Sequence, residues 1–225
     1  MATYVNNLRL KEIATGDESG TWGTSTNTNL ELIADALGTG TEAITTNADT
    51  HTTTVADGSA DAGRAFFLQY TGTLDSACTI TIAPNTINRV QLIENATSGS
   101  QNIIISQGSG ANVTIAPGKV SAVQLDGAGG GAAVLDVFTD LQISDSLTLN
   151  GPVLTIGDAA AEDTKIVFDG NAQDYYIGLD DSADDLVIGL GSAVGTTPAI
   201  IIDESQFVSM PSKVTAATSA NISQV

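Results

Sequence analysis

The sequence predicts a mainly β protein with one short N-terminal helix, and three observations predict it. Short apolar runs recur from residue 65 onward at a spacing of about ten, with turn signals between them. Aromatics make up only 4% of a chain that is 42% hydrophobic, so thin layers filled by Ile, Val, Leu and Ala are expected in place of one thick core. Helical spacing is convincing in one stretch, near the start. With 225 residues the chain can bury one or two modest cores, and it is too apolar to stay disordered.

The helix is read from Leu30, Ile33 and Leu37 at i, i+3 and i+7, joined by Ala34 in a single stripe. Thr28 and Glu31 have capping-box spacing, with Ser25, Thr26 and Asn27 as alternative caps. Gly38 stands where a left-handed residue after the helix is favoured. Such a helix, of about three turns, is marginal alone and must dock its stripe on something. From 41 to 61 the chain is rich in Thr, Ala, Asp and Gly and reads as a linker or a loosely packed β-arm.

Strands are expected over 65–70, 78–82, 89–94, 102–106, 112–115, 121–125 and 133–138. Turns at Thr97-Ser98-Gly99, Gly108-Ser109-Gly110, Pro117-Gly118 and Asp126-Gly127 separate them, which suggests an antiparallel β-sandwich or jelly-roll-like domain. Beyond Asp140 the cycle shortens, with strands over 147–149, 153–156, 165–169, 175–179, 186–190 and 199–203. Several end alike, as in Ile166-Val167-Phe168-Asp169-Gly170 and Leu186-Val187-Ile188-Gly189-Leu190, a degenerate internal repeat. The turns in this stretch are too short to supply a covering layer, so the second layer must come from elsewhere. Identical chains wrapping one another supply it and remove open sheet edges, and an elongated β shaft in a homotrimer is expected. The resulting plan is an N-terminal segment over 1–45, a sandwich-like domain over 46–140, a shaft over 141–208 and a polar tail over 209–225 that leads into a further distal region.

Seven Lys and Arg against 26 Asp and Glu give a formal charge of −19. The bases are scattered, so neither nucleic acid nor an anionic membrane surface is an expected partner. No run approaches the roughly 18 apolar residues of a membrane span, and the N-terminus lacks the features of a signal peptide. The single cysteine, Cys78, lies in the alternating run Cys78-Thr79-Ile80-Thr81-Ile82 and reads as a small buried strand residue.

Catalysis finds little support. The lone histidine, His51, sits in a Thr-rich polar stretch that does not promise triad geometry, and it reads as an exposed structural residue. Glycoside hydrolysis would find carboxylates enough, but one Trp and four Tyr make a poor sugar platform. Asp180, Asp181, Asp184 and Asp185 offer oxygens to calcium but lack the EF-hand pattern, so a solvated turn is the better reading. Gly127 to Gly131 precedes no phosphate-binding motif and reads as a hairpin loop. No catalytic, cofactor-binding or metal-binding residue is assigned. The site assigned is a partner-binding one, Trp22 with Leu30, Ile33 and Leu37, an aromatic anchor beside an apolar helix face.

The run Gly16-Asp17-Glu18-Ser19-Gly20-Thr21-Trp22-Gly23, followed by Asn27, Asn29 and Ile33-Ala34-Asp35-Ala36-Leu37-Gly38, resembles the N-terminal segment of many phage tail-fibre proteins. The stretches 46–138 and 161–204, notably Asp180-Asp181-Ser182-Ala183-Asp184-Asp185-Leu186-Val187-Ile188-Gly189, look like segments common in fibres of marine phages, cyanophages among them. The resemblance implies a non-enzymatic virion protein of the phage tail. Its N-terminus would face the tail or an adaptor protein and its shaft would point outward, serving attachment to a host-surface receptor indirectly. A head-fibre or capsid-decoration protein and a secreted sugar-binding adhesin are the competing readings.

Overall fold

The computed structural model describes residues 3–139, 141–151, 153–157 and 159–211, and the chain divides into two units, Met1–Ser144 and Asp145–Val225. That division lies close to the expected start of the shaft. Residues 212–225, most of the expected polar tail, fall outside the described residues.

The first unit holds α1 (Trp22–Ala36) and nine strands: β1 (Thr39–Ala43), β2 (Thr50–Thr54), β3 (Phe67–Thr71), β4 (Cys78–Ala83), β5 (Arg89–Asn95), β6 (Ile103–Ser106), β7 (Val113–Ile115), β8 (Val120–Leu125) and β9 (Val134–Asp136). The first six strands alternate between two sheets, ordered β1-β3-β5-β8-β9 and β2-β4-β6-β7. The first three strands of each sheet run parallel, so β1 with β2, β3 with β4 and β5 with β6 are three rungs of a flattened coil. Each turn of the coil takes 25 to 29 residues. The chain then reverses: β7 pairs antiparallel with β6, β8 with β5 and β9 with β8. The strands expected between 65 and 138 are present, but the expected antiparallel order holds only for this last part. Two-residue alternation is the same in both kinds of ladder, so pattern alone does not separate them.

Side chains from both sheets meet in one core. Leu68 stands beside Ile93, Ile80 beside Ile105, and Ile103 between Cys78 and Ile115. All of these are at most 2% exposed, which bears out the buried reading of Cys78. Burial raises the Cys78 thiol above its ordinary pKa, with Asp49 adding to it.

The first rung differs. Where β3 and β4 carry Leu68, Tyr70, Ile80 and Ile82, the matching positions of β1 and β2 are Gly40, Glu42, His51 and Thr53. An end rung has a neighbour on one side only, so polar residues are tolerated there. The Thr-rich stretch expected to be a linker or β-arm is therefore built into the sheets.

Thr53 and Tyr70, both fully buried, join the two sheets through a hydroxyl–hydroxyl bond of 2.6 Å. Burial holds the Tyr70 phenol well above its ordinary pKa, against the opposing pull of the Thr53 hydroxyl.

The second unit contains an antiparallel meander: β10 (Thr164–Phe168), β11 (Tyr175–Asp180), β12 (Asp185–Leu190), β13 (Pro198–Ile202) and β14 (Val208–Ser209). Residues 147–149 and 153–156, expected as strands, carry none, and their apolar side chains are exposed. With no neighbour to pair with among the described residues, an apolar run is not held in a ladder.

Two outcomes are expected of Tyr70→Phe. At neutral pH it leaves the buried Thr53 hydroxyl unpaired and costs about 1–3 kcal/mol in urea denaturation. The wild-type protein loses stability above about pH 10, because there the unfolded Tyr70 ionises while the folded one keeps its proton. The variant lacks that contribution, so its stability falls less steeply between roughly pH 9 and 11. Parallel declines of the two proteins would contradict the assignment.

Candidate docking site

Helix α1 begins at Trp22, several residues ahead of the expected caps, with Thr21 at the N-cap position making no side-chain cap bond. The capping box of Thr28 and Glu31 therefore lies inside the helix. Gly38 follows the helix, but its φ is not in the left-handed region; its amide closes the end on the Asp35 carbonyl at 3.1 Å.

The starting point at Trp22 changes the stripe. Trp22, Leu30, Ile33 and Leu37 fall at i, i+8, i+11 and i+15, all on one side of the helix. That side is not the one that docks. Leu32 and Ala36 are the buried residues of α1, while Trp22 is 62% exposed, Leu30 59% and Leu37 78%, with Ile33 half-buried.

Polar fastening sets this rotation. The Asn29 carboxamide receives the Lys11 amide at 3.0 Å and donates to the Lys11 carbonyl at 2.8 Å, as a neighbouring strand would. Asn6 closes the preceding turn in the same way on Leu10, with both bonds at 2.8 Å. Lys11 also pairs with Glu18 and bonds Ser25 Oγ at 3.2 Å.

Beneath lies Arg64, 1% exposed. Its guanidinium donates to the carbonyls of Leu8, Ala56 and Ser59 and pairs with Asp61 at 2.9 Å. Arg89 extends the network by donating to the Gly63 and Arg64 carbonyls, and burial lowers its pKa from the ordinary guanidinium range. One buried cation thus holds together the N-terminal segment, the 56–61 loop and the turn before β3.

A cleft of about 160 Å³ opens beside the stripe, lined by Leu8, Ile33, Ala36, Leu37, Phe66 and Val90 above Arg64, Arg89 and Gln91. Phe66 and Val90 are each 45% exposed. Trp22, Leu30, Ile33 and Leu37 with this cleft make an apolar surface on a unit that has filled its own core, the kind of patch that marks an interaction site. The cleft was not legible in the sequence, because Leu8, Phe66 and Val90 come from three separate segments.

The other residues weighed from sequence have structural places. His51 is not the exposed residue expected: its side chain is 19% exposed, with Nε2 2.6 Å from Glu42 Oε1 and its ring edge-on to Tyr70 at 6.3 Å. Asp180 and Asp185 face each other at the ends of β11 and β12, and Asp180 Oδ1 accepts from the Ser182 amide and hydroxyl, so the acidic cluster is a hairpin turn. Among the described residues no group of three or more His, Cys, Asp or Glu is arranged to hold a metal ion. The Gly127 to Gly131 loop joins β8 to β9 and is pinned at its start, where the Gly127 amide donates to Gln107 Oε1 at 3.1 Å. No helix among the described residues is long and apolar enough to cross a membrane.

No family model, no curated protein and no solved structure matches the chain.

Substitutions on the two sides of α1 should differ in their effect on folding. Leu32→Ala is expected to cost about 2–5 kcal/mol in urea denaturation. Trp22→Ala and Leu30→Ala should stay within about 0.5 kcal/mol of wild type. Arg64→Ala, which leaves Asp61 without its cation, should cost about 3–5 kcal/mol. A large loss from Trp22→Ala would mean that the stripe serves the chain's own packing.

Proposed function

We propose that this chain is a structural subunit of a phage tail fibre. Its N-terminal unit anchors the fibre to a tail or adaptor protein through Trp22, Leu30, Ile33 and Leu37, and its C-terminal unit forms the proximal shaft of a homotrimer. The reading assigns it no catalysis and no cofactor; it places the chain in the virion and gives it an indirect part in host attachment. The observation that carries the docking reading is the separation of the two helix faces. Leu32 and Ala36 hold α1 to its own unit, while the only tryptophan of the chain and three further apolar residues stay available beside an apolar cleft. Large aromatic and aliphatic anchors next to a pocket are what a protein partner engages most strongly. The resemblance of Gly16 to Gly23 and of Ile33 to Gly38 to tail-fibre N-termini supplies the tail as the place of docking.

Particles assembled with the Trp22→Ala/Leu37→Ala chain should lack the protein, while the purified variant keeps wild-type stability. In electron micrographs of wild-type particles, a label on the N-terminus should lie at the tail. Normal incorporation of the double variant would overturn the docking reading, and a label on the capsid would favour a head-fibre or decoration protein instead.

A further inference from the structure

The two units differ sharply in where they keep their apolar residues. Of 23 buried apolar residues among those described, only Tyr176 and Val187 belong to Asp145–Val225. Of 29 exposed large apolar side chains, 17 belong to it. A sheet with two buried apolar side chains has too little core to hold five strands, so what its other face touches decides whether it is stable.

Register shows how that face is built. Ile166, Ile177, Ile188 and Ile200 stand side by side across β10 to β13. Leu179, Leu186 and Ile202 form a second row, and Phe168, Tyr175 and Leu190 a third. These rows share one face by the two-residue alternation of each strand. Ile166, Ile177, Ile188 and Leu190 are 37% to 43% exposed, and Phe168 and Tyr175 exceed 50%.

The opposite face is closed by the chain itself over β11 and β12, where Tyr176 and Val187 are buried, although Val167 on β10 is 37% exposed there. A Cβ at Gly189 would overlap the Tyr176 ring, and one at Gly178 would come within 3.1 Å of Val194. The Tyr176 hydroxyl accepts the Gly195 amide at 3.1 Å, holding the 191–197 loop over that side. One face of the meander is thus covered at its centre, and the other is exposed along its length.

We propose that the uncovered face is buried against the same face of further copies of this chain, so that the core of the C-terminal unit is shared between subunits. Its extent fits: apolar side chains stand in three rows across four neighbouring strands, a broad patch of the kind a stable interface buries. Its chemistry fits as well. The rows contain no charged side chain, and beyond Thr164 and the Tyr175 hydroxyl they offer no polar handle by which an unlike partner would be chosen. A second copy is matched by construction, since rotation about a symmetry axis presents the same rows. Two such faces pack at the usual inter-sheet distance of about 10 Å without burying a charged group. The inference deepens the oligomeric part of the fibre reading, and its experiment needs no particle.

The full-length chain should run as an oligomer in size-exclusion chromatography with light scattering, at a mass that is a multiple of 22.8 kDa. Ile177→Asp/Ile188→Asp should convert it to monomer while the first unit keeps its cooperative unfolding. Because that variant's meander can also fail to fold, a second measurement decides independently. The thiol introduced by Ile188→Cys should be shielded from a bulky maleimide in the assembled protein, and the one introduced by Ser182→Cys at the hairpin should react fully. A monomeric wild-type chain, or full labelling after Ile188→Cys, would overturn the proposal. An assembled, shielded protein that is absent from particles would overturn the fibre reading alone.

Discussion

In-register parallel stacking of the coil is the constraint on which the first unit depends. Each rung must put its inward residues beside the inward residues of the rung before, because a slip of one position would turn the whole apolar set toward solvent. The corners obey the same rule as the strands. Ile44 and Leu74 enter the core at the first two corners, and the next rung passes close to each through a glycine of positive φ, Gly72 (φ 129) and Gly99 (φ 98). A Cβ at either would run into the carbonyl of Ile44 or of Leu74. Between these corners the parallel ladder continues as a bridge from Thr73 to Ser98, whose hydroxyls lie 2.9 Å apart. Glycine supplies both the left-handed conformation and the close approach, so the coil closes without spreading its rungs.

The expected strands from 65 to 138 were legible because each is bounded by turn residues and alternates cleanly. Their parallel order was not, since alternation carries no information about direction and the coil spacing of 25 to 29 residues is irregular. The most telling local signal was the recurrence of a glycine just after a strand, Gly72 after Thr71 and Gly99 shortly after Asn95. β1 and β2 escaped notice for a different reason. Their inward positions are Gly40, Glu42, His51 and Thr53, and only the neighbouring rung shows that these polar residues line the end of a core.

The docking site was half legible. Leu30, Ile33 and Leu37 share a side of α1 as their spacing requires, and Trp22 joins them because the helix starts early. Spacing could not tell which side the chain itself would cover. Asn29 bears on that, since its hydrogen bonds to Lys11 tie its side of α1 to the N-terminal segment, which Arg64 in turn holds through the Leu8 carbonyl, and Leu32 and Ala36 lie underneath. Hydrogen bonds from a buried guanidinium are directional, whereas an apolar stripe is satisfied by any apolar surface. The polar contacts therefore choose the face, and the stronger apolar stripe is the one left over.

The two units meet the need to cover a β-sheet in opposite ways. The first supplies its own second sheet, so its exposed apolar surface beside α1 is a surplus that folding does not require. The second supplies cover for one face only, and its remaining apolar rows are a deficit. Charge sharpens the difference. Copies of a chain with a formal charge of −19 repel one another, and the repulsion is least costly where the touching surfaces carry no charge and the acids stay in water. The meander meets that condition. Its rows of Ile and Leu are free of charge, while Asp180, Asp181, Asp184 and Asp185 are gathered at the turn between β11 and β12, with Asp181 and Asp184 in the exposed loop itself. Salt that screens the acids would weaken the repulsion and leave the apolar attraction in place, so shared burial of this face grows more favourable as ionic strength rises.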